Sequence, residues 1–140
     1  MPRSIGIGLI GFGWMGHAHA RSYRSIPAYF PEAGLAPRLV AVADTDPARV
    51  QEATSAFGFE TGTGDYRALL EDDEIEVIDI TAPNGMHEEL ATAAAAAGKH
   101  VFCEKPVGVD PFATARIESA TRRAGVITGG GYNYRWAPLI

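Results

Sequence analysis

The sequence predicts an α/β fold, a doubly wound parallel sheet held between two layers of helices. Three observations carry that expectation. Short apolar runs alternate with segments of helical periodicity along the chain. Two of the helical segments open on an Asp-Pro pair, Asp46-Pro47 and Asp110-Pro111, the first residue suited to an N-cap and the second to the first helical turn. A glycine-rich turn joins the first apolar run to the first helical segment. Six such runs with helices between them bury both faces of a parallel sheet in a three-layer α/β/α arrangement. Right-handed crossovers then give the strand order 3-2-1-4-5-6.

The elements follow in order. Ile5 to Ile10 is apolar, ends at a glycine and reads as a buried strand. Trp14 to Ile26 places Ala18, Ala20, Tyr23 and Ile26 at roughly helical spacing, and Pro27 is expected to stop that helix. Tyr29 to Pro37 holds two prolines and a glycine and reads as a surface loop. Leu39 to Ala43 is the second strand. The helix opened by Asp46-Pro47 is expected to run to Phe57 and end at Gly58, with a short strand near Phe59. Asp65 can cap a brief helix through Leu70. Glu76 to Ile80 is the fourth strand, Pro83-Asn84-Gly85 a turn, and Met86 to Ala97 an alanine-rich helix ended by Gly98. Its small side chains let it lie close to a sheet. His100 to Cys103 is the fifth strand, Asp110 to Arg123 a helix, and Val126 to Gly129 the sixth strand.

Composition narrows the function classes. A chain of 140 residues, 46% hydrophobic and 21% charged, supports one domain with a full core. The formal net charge of -5 argues against a nucleic-acid partner, which needs a basic surface. It does not argue against a dinucleotide, because backbone N–H groups and a helix dipole can hold a pyrophosphate. No membrane segment is expected, since the apolar stretch near the start is short and broken by glycine. One cysteine, Cys103, allows no intrachain disulfide and fits a reducing cytoplasm. Cys103 follows Val101 and Phe102 in an apolar strand and reads as a buried hydrophobe rather than a nucleophile.

The chemistry-bearing motif is Gly11-Phe12-Gly13-Trp14-Met15-Gly16, a G-x-G-x-x-G at the first strand-to-helix corner. Gly11 permits a tight turn, Gly13 lets the backbone approach a pyrophosphate, and Gly16 lets the helix pack on the strand. This is a Rossmann-type fingerprint. Asp44, at the carboxyl end of the second strand, suits the adenosine ribose hydroxyls and would repel a 2′-phosphate, so NAD is favoured over NADP. Its distance in sequence from the glycines is longer than usual, an excess assigned to the Tyr29–Pro37 loop. Thr81, Pro83, Asn84 and His87 follow the fourth strand and put polar groups beside the glycine turn. Glu104-Lys105-Pro106 follows the fifth strand, where a lysine could meet a substrate hydroxyl, although most lysines are solvated. His17 and His19 are two apart on a helix and face different ways, so no metal site is expected. Neither a P-loop nor a G-x-S-x-G elbow is present.

Taken in order, Gly11 to Gly16, Asp44, Thr81-Ala82-Pro83-Asn84 with His87, Ala97 to Pro106 and Gly131-Tyr132-Asn133-Tyr134-Arg135 resemble the glucose–fructose oxidoreductase, inositol dehydrogenase and rhizopine-catabolism (Gfo/Idh/MocA) family. The stretch ending in Glu-Lys-Pro is its most specific part. The resemblance implies NAD- or NADP-dependent oxidation or reduction of a hydroxyl on a sugar, inositol or related polyol. It implies that Lys105 is a catalytic-site residue, and it adds Glu104, Lys105 and Asn133 to the cofactor-binding set. It also implies a division into residues 1–131, the Rossmann domain, and 132–140, the start of a connection to a second domain. That second domain supplies most substrate contacts and, in many members, a catalytic aspartate and histidine. No residue here, His87 included, is given the histidine's role. The chain is therefore expected to bind NAD without turning over substrate alone, and the full-length protein to be a homo-oligomer. A non-enzymatic NAD(H)-binding module and a Rossmann domain for another nucleotide are the rival readings.

Overall fold

A computed structural model describes residues 1–138. Its centre is β1 (Arg3–Ile10), flanked by β2 (Leu35–Ala43) and β4 (Val77–Ile80). β3 (Thr61–Thr63) lies outside β2, and β5 (His100–Cys103) and β6 (Thr128–Gly130) lie beyond β4. The order is β3-β2-β1-β4-β5-β6 with every pairing parallel, as the sequence predicts. Between β1 and β4 the winding reverses, so the loops after these two strands diverge and leave a crevice at their carboxyl ends.

Strand alternation sends side chains to two separate cores. Ile7, Leu9 and Val42 pack with Phe12, Ala20, Phe57 and Phe59 under α1 (Trp14–Tyr29). Ile10, Ile78, Ile80, Val101 and Cys103 pack on the other face with Leu90 and Ala94 of α4 (His87–Ala96) and Ile117 of α5 (Pro111–Ala124). Fully burying one such Leu or Ile contributes about 1.5–3 kcal/mol. Helix ends are marked by local chemistry. The Asp46 carboxylate accepts the Ala48 N–H at 2.9 Å to start α2 (Pro47–Glu52), which continues through a π-turn at Ala53–Phe57. Asp110 accepts the Ala113 N–H at 2.7 Å to start α5. Asp65, expected to cap α3 (Arg67–Glu71), instead lies one residue before its N-cap, Tyr66, and accepts the Arg67 N–H at 3.0 Å.

Four other expectations change. Pro27 does not stop α1, which runs to Tyr29 and closes with the Phe30 N–H on the Ile26 carbonyl. A proline in the last turn removes one helical donor but leaves the turn itself intact. Tyr29–Pro37 is not a loop: a 3-10 turn at Pro31–Ala33 leads into β2, already begun at Leu35. Pro37 is tolerated there because β3 reaches β2 only at Ala41–Ala43, so one side of the strand is open at that point. β3 lies at Thr61–Thr63 rather than near Phe59, whose side chain is in the core. β6 begins at Thr128 rather than Val126. A further 3-10 turn, Asn133–Trp136, follows, and the last two residues of the expected 132–140 connection lie outside the described residues.

Candidate nucleotide-binding site

The corner after β1 is built by backbone constraints. Gly11 has φ +93° and its N–H donates to the Ala43 carbonyl at 2.8 Å, which turns the chain sharply off the strand. A Cβ on Gly11 would lie 2.6 Å from the Ala82 backbone, so this glycine is fixed by sterics as well as by conformation. At Gly16 a Cβ would stand 2.6 Å from the Gly11 carbonyl oxygen, which shows how closely α1 approaches the turn. The Thr81 hydroxyl donates to the same carbonyl and pins the β4 end to the corner.

The N-terminus of α1 opens into this space. Unlike α2 and α5, it has no side-chain cap, and no acidic residue lies in its first turn. Its first i to i−4 bond is the His17 N–H to the Gly13 carbonyl at 3.1 Å, which leaves the N–H groups of Trp14, Met15 and Gly16 without helical partners. Gly13 faces open space: nothing lies within 4 Å of where its Cβ would be. A cleft of about 440 Å³ lies against these groups and is lined by Gly11, Gly13, Trp14, Met15, Asp44, Thr81 and Pro83, with Arg49 and Met86 at its sides.

Asp44 stands across this cleft at the end of β2. Its carboxylate is 6% exposed and is set by two backbone donors, the Phe12 N–H at 2.6 Å and the Asp46 N–H at 2.9 Å. Two accepted bonds leave lone pairs for further donors, since a carboxylate offers about four acceptor positions. Arg49 Nη1 lies 3.6 Å from the same carboxylate.

The other predicted residues divide into supports and rim. Phe12 is a correction: its ring is fully buried, edge-on to Phe57 at 5.0 Å, and its N–H is taken by Asp44. His87 is a second. It is fully buried, with Nδ1 2.8 Å from the Pro106 carbonyl oxygen and Nε2 2.9 Å from that of Ala82. Each nitrogen thus faces a backbone carbonyl oxygen, one from the turn after β4 and one from the turn after β5, and the ring N–H can donate to one of them. Glu104 is a third: it is buried and turned toward His19, 3.2 Å from Nε2. Gly16 is buried beneath the corner, while Asn84, Lys105 and Asn133 are exposed and do not line the cleft. Among the described residues no group of three or more His, Cys, Asp or Glu is arranged to hold a metal ion, and no helix is long and apolar enough to cross a membrane.

Sequence reasoning missed Arg49 and the buried pair of His19 and Asp79. Arg49 sits in the first turn of α2, so the Asp-Thr-Asp-Pro start carried the signal. Asp79 was readable as a lone carboxylate inside an apolar strand.

A parallel sheet with a free helix N-terminus at its switch point and a fixed carboxylate across from it defines a dinucleotide-binding domain of the Rossmann class. The residues fit the group: open space at Gly13, uncapped donors at the helix start and a carboxylate with lone pairs to spare. The comparisons with known proteins agree. The Gfo/Idh/MocA model, described as an oxidoreductase family with an NAD-binding Rossmann fold, matches residues 5–132, and the chain belongs to that family. It is 37% identical over 138 residues to levoglucosan dehydrogenase of Pseudarthrobacter phenanthrenivorans, covering 99% of this chain and 35% of that protein. It is 32% identical over 130 residues to myo-inositol 2-dehydrogenase of Thermotoga maritima, covering 93% of this chain and 36% of that one. The solved structure of levoglucosan dehydrogenase with NADH superposes with a TM-score of 0.90 at 38% identity, over 95% of this chain and 36% of that one. An NAD-binding oxidoreductase from Klebsiella pneumoniae gives 0.90 at 43% identity, over 96% of this chain and 36% of that one. The chain thus spans about a third of the length of the relatives it matches.

Proposed function

We propose that this chain binds NAD(H) as the cofactor domain of a dehydrogenase acting on a CH–OH group of a sugar, inositol or related polyol. The observation that carries the cofactor part is the uncapped start of α1 facing an open cleft with Asp44 across it. Gly13, Trp14, Met15 and Gly16 would offer N–H groups to the pyrophosphate, and Asp44 would accept the ribose hydroxyls. The bound nicotinamide supplies the hydride chemistry. Lys105 leaves the end of β5, two strands from the glycine corner, where a cation can hydrogen-bond a substrate oxygen and stabilise charge developing on it. The substrate class rests on the levoglucosan and inositol dehydrogenases among the relatives. Hydride transfer requires the substrate carbon to be held against the nicotinamide. Turnover is therefore assigned to this domain joined to the further two-thirds those relatives possess, with residues 132–140 as the connection.

Arg49 favours a second reading of the cofactor, since a guanidinium beside the ribose site could pair with a 2′-phosphate. The half-exposed Arg49 is outweighed by the buried carboxylate that such a phosphate would meet first. Calorimetric titration of the chain with NADH and NADPH tests this. NADH should bind more tightly, and Asp44→Asn should weaken NADH and narrow the difference. Tighter binding of NADPH by the parent chain refutes the role given to Asp44.

A further inference from the structure

The turn that carries Lys105 hangs on a buried charge cluster. His19 projects from α1 onto the face of β4 and β5, with Nδ1 2.8 Å from Asp79 Oδ2 and Nε2 3.2 Å from Glu104 Oε1. A ring with an acceptor at each nitrogen can donate to both only as the imidazolium. Asp79 is fully buried and Glu104 is 6% exposed. Two carboxylates in such a place repel one another, and the cation between them removes that conflict. The two ring nitrogens face separate carboxylates, which is the geometry of a bridge and not of shared metal coordination.

Glu104 passes this constraint on. Its Oε2 accepts the Lys105 N–H at 3.1 Å. Its Oε1 side is wedged beneath Gly131, where a Cβ would stand 2.3 Å away. One carboxylate therefore holds the histidine on one side and the lysine's own backbone on the other.

The groups facing His19 come from every element around it. Asp79 lies on β4, Glu104 at the end of β5, the Phe102 ring 5.6 Å away on β5, and Tyr23 on α1 itself, its hydroxyl close enough to feel the charge of Asp79. The Cys103 thiol on β5 feels the charges of both carboxylates. Burial alone would lower the pKa of His19, but the hydrogen bond to Asp79 and the charges of Asp79 and Glu104 outweigh it, and the net direction is upward from 6.5. The sign follows: the bridge is fully present below 6.5 and is lost as pH rises through the higher folded value.

We propose that His19 is a positioning residue for Lys105, fixing through Glu104 the backbone from which that side chain leaves the sheet. The inference rests on the reading of Lys105 as a site residue. Loss of the His19 proton removes one of the two bonds and frees Glu104 to shift, and the Lys105 backbone shifts with it.

The experiment is a nuclear magnetic resonance pH titration of the isotopically labelled chain without nucleotide. The His19 ring should titrate above 6.5, and the Lys105 amide should move with the same midpoint. Glu104→Gln should lower the ring midpoint, because it removes one of the two charges that favour the imidazolium. His19→Gln should abolish the pH-dependent movement at Lys105. A ring midpoint at or below 6.5, or a Lys105 amide that does not follow the ring, overturns the proposal. If neither variant folds, the two midpoints of the parent chain decide the matter alone. NADH added afterwards tests the cofactor reading separately: absence of shifts at Gly13 and Asp44 would refute that reading and leave the titration result standing.

Discussion

Replacing Gly13 by valine should separate folding from cofactor binding. In the folded chain Gly13 has φ −86° and ψ −159°, an extended conformation open to any residue, and nothing stands within 4 Å of a Cβ there. Valine at this N-cap costs about 1 kcal/mol or less, and reduced freedom of the unfolded chain offsets about 0.4–1 kcal/mol of it. The melting temperature should therefore stay within about 3 °C of the parent, since about 1 kcal/mol corresponds to roughly that shift at this chain length. Binding should collapse. A branched side chain at Gly13 occupies the approach to the α1 N-terminus and forfeits about two charge-assisted N–H bonds, each contributing about 1.5–3 kcal/mol. The loss is about 3–6 kcal/mol, or a weakening of about 10² to 10⁴-fold. Thermal unfolding by circular dichroism and titration with NADH give the two readouts. Gly16→Ala is the contrast: its Cβ would meet the Gly11 carbonyl oxygen at 2.6 Å, an overpacking that costs about 1–3 kcal/mol and lowers the melting temperature by about 3–10 °C. A Gly13→Val chain that still binds NADH within about threefold of the parent would refute the reasoning, because the phosphate could then not lie against that backbone.

Two other outcomes follow from buried groups. His87→Phe should destabilise the fold by about 1–3 kcal/mol in urea unfolding, because it removes the ring N–H that the Ala82 and Pro106 carbonyls face from inside the fold; a loss below about 0.5 kcal/mol would show the ring is not a tie between the two turns. Cys103 is 2% exposed, and burial, with the charges of Asp79 and Glu104 adding to it, pushes its thiol up to about 12. Its thiolate therefore forms only as pH climbs toward that value, so iodoacetamide at pH 8 should label it in denaturant and leave the native chain unlabelled over the same time. Rapid native labelling would show that β5 opens or that Cys103 is not in the core.

The glycine corner was legible because each glycine answers a local demand. A positive φ at Gly11 and a close helix at Gly16 are requirements of a few neighbouring atoms, and the residue type states them directly. The caps at Asp46 and Asp110 were legible for the same reason. Strand order followed from alternation and the handedness of crossovers. The start of β2 was misread because pairing with β1 draws Leu35–Pro37 into the sheet, a contact across more than thirty residues that local propensity does not contain.

By itself the sequence determined the doubly wound sheet, the dinucleotide corner and the carboxylate at the end of β2. These depend on periodicity and on backbone geometry that only glycine permits. Only the tertiary structure decided which polar residues face the crevice and which hold it up. Phe12, His87 and Glu104 sit inside motifs that read as contacts, yet their side chains turn inward to Phe57, to the Ala82 and Pro106 carbonyls and to His19. The physical reason is that a buried polar group must find its partner. For Asp79 that partner, His19, lies sixty positions away, at a distance the folded sheet sets and the order of residues does not.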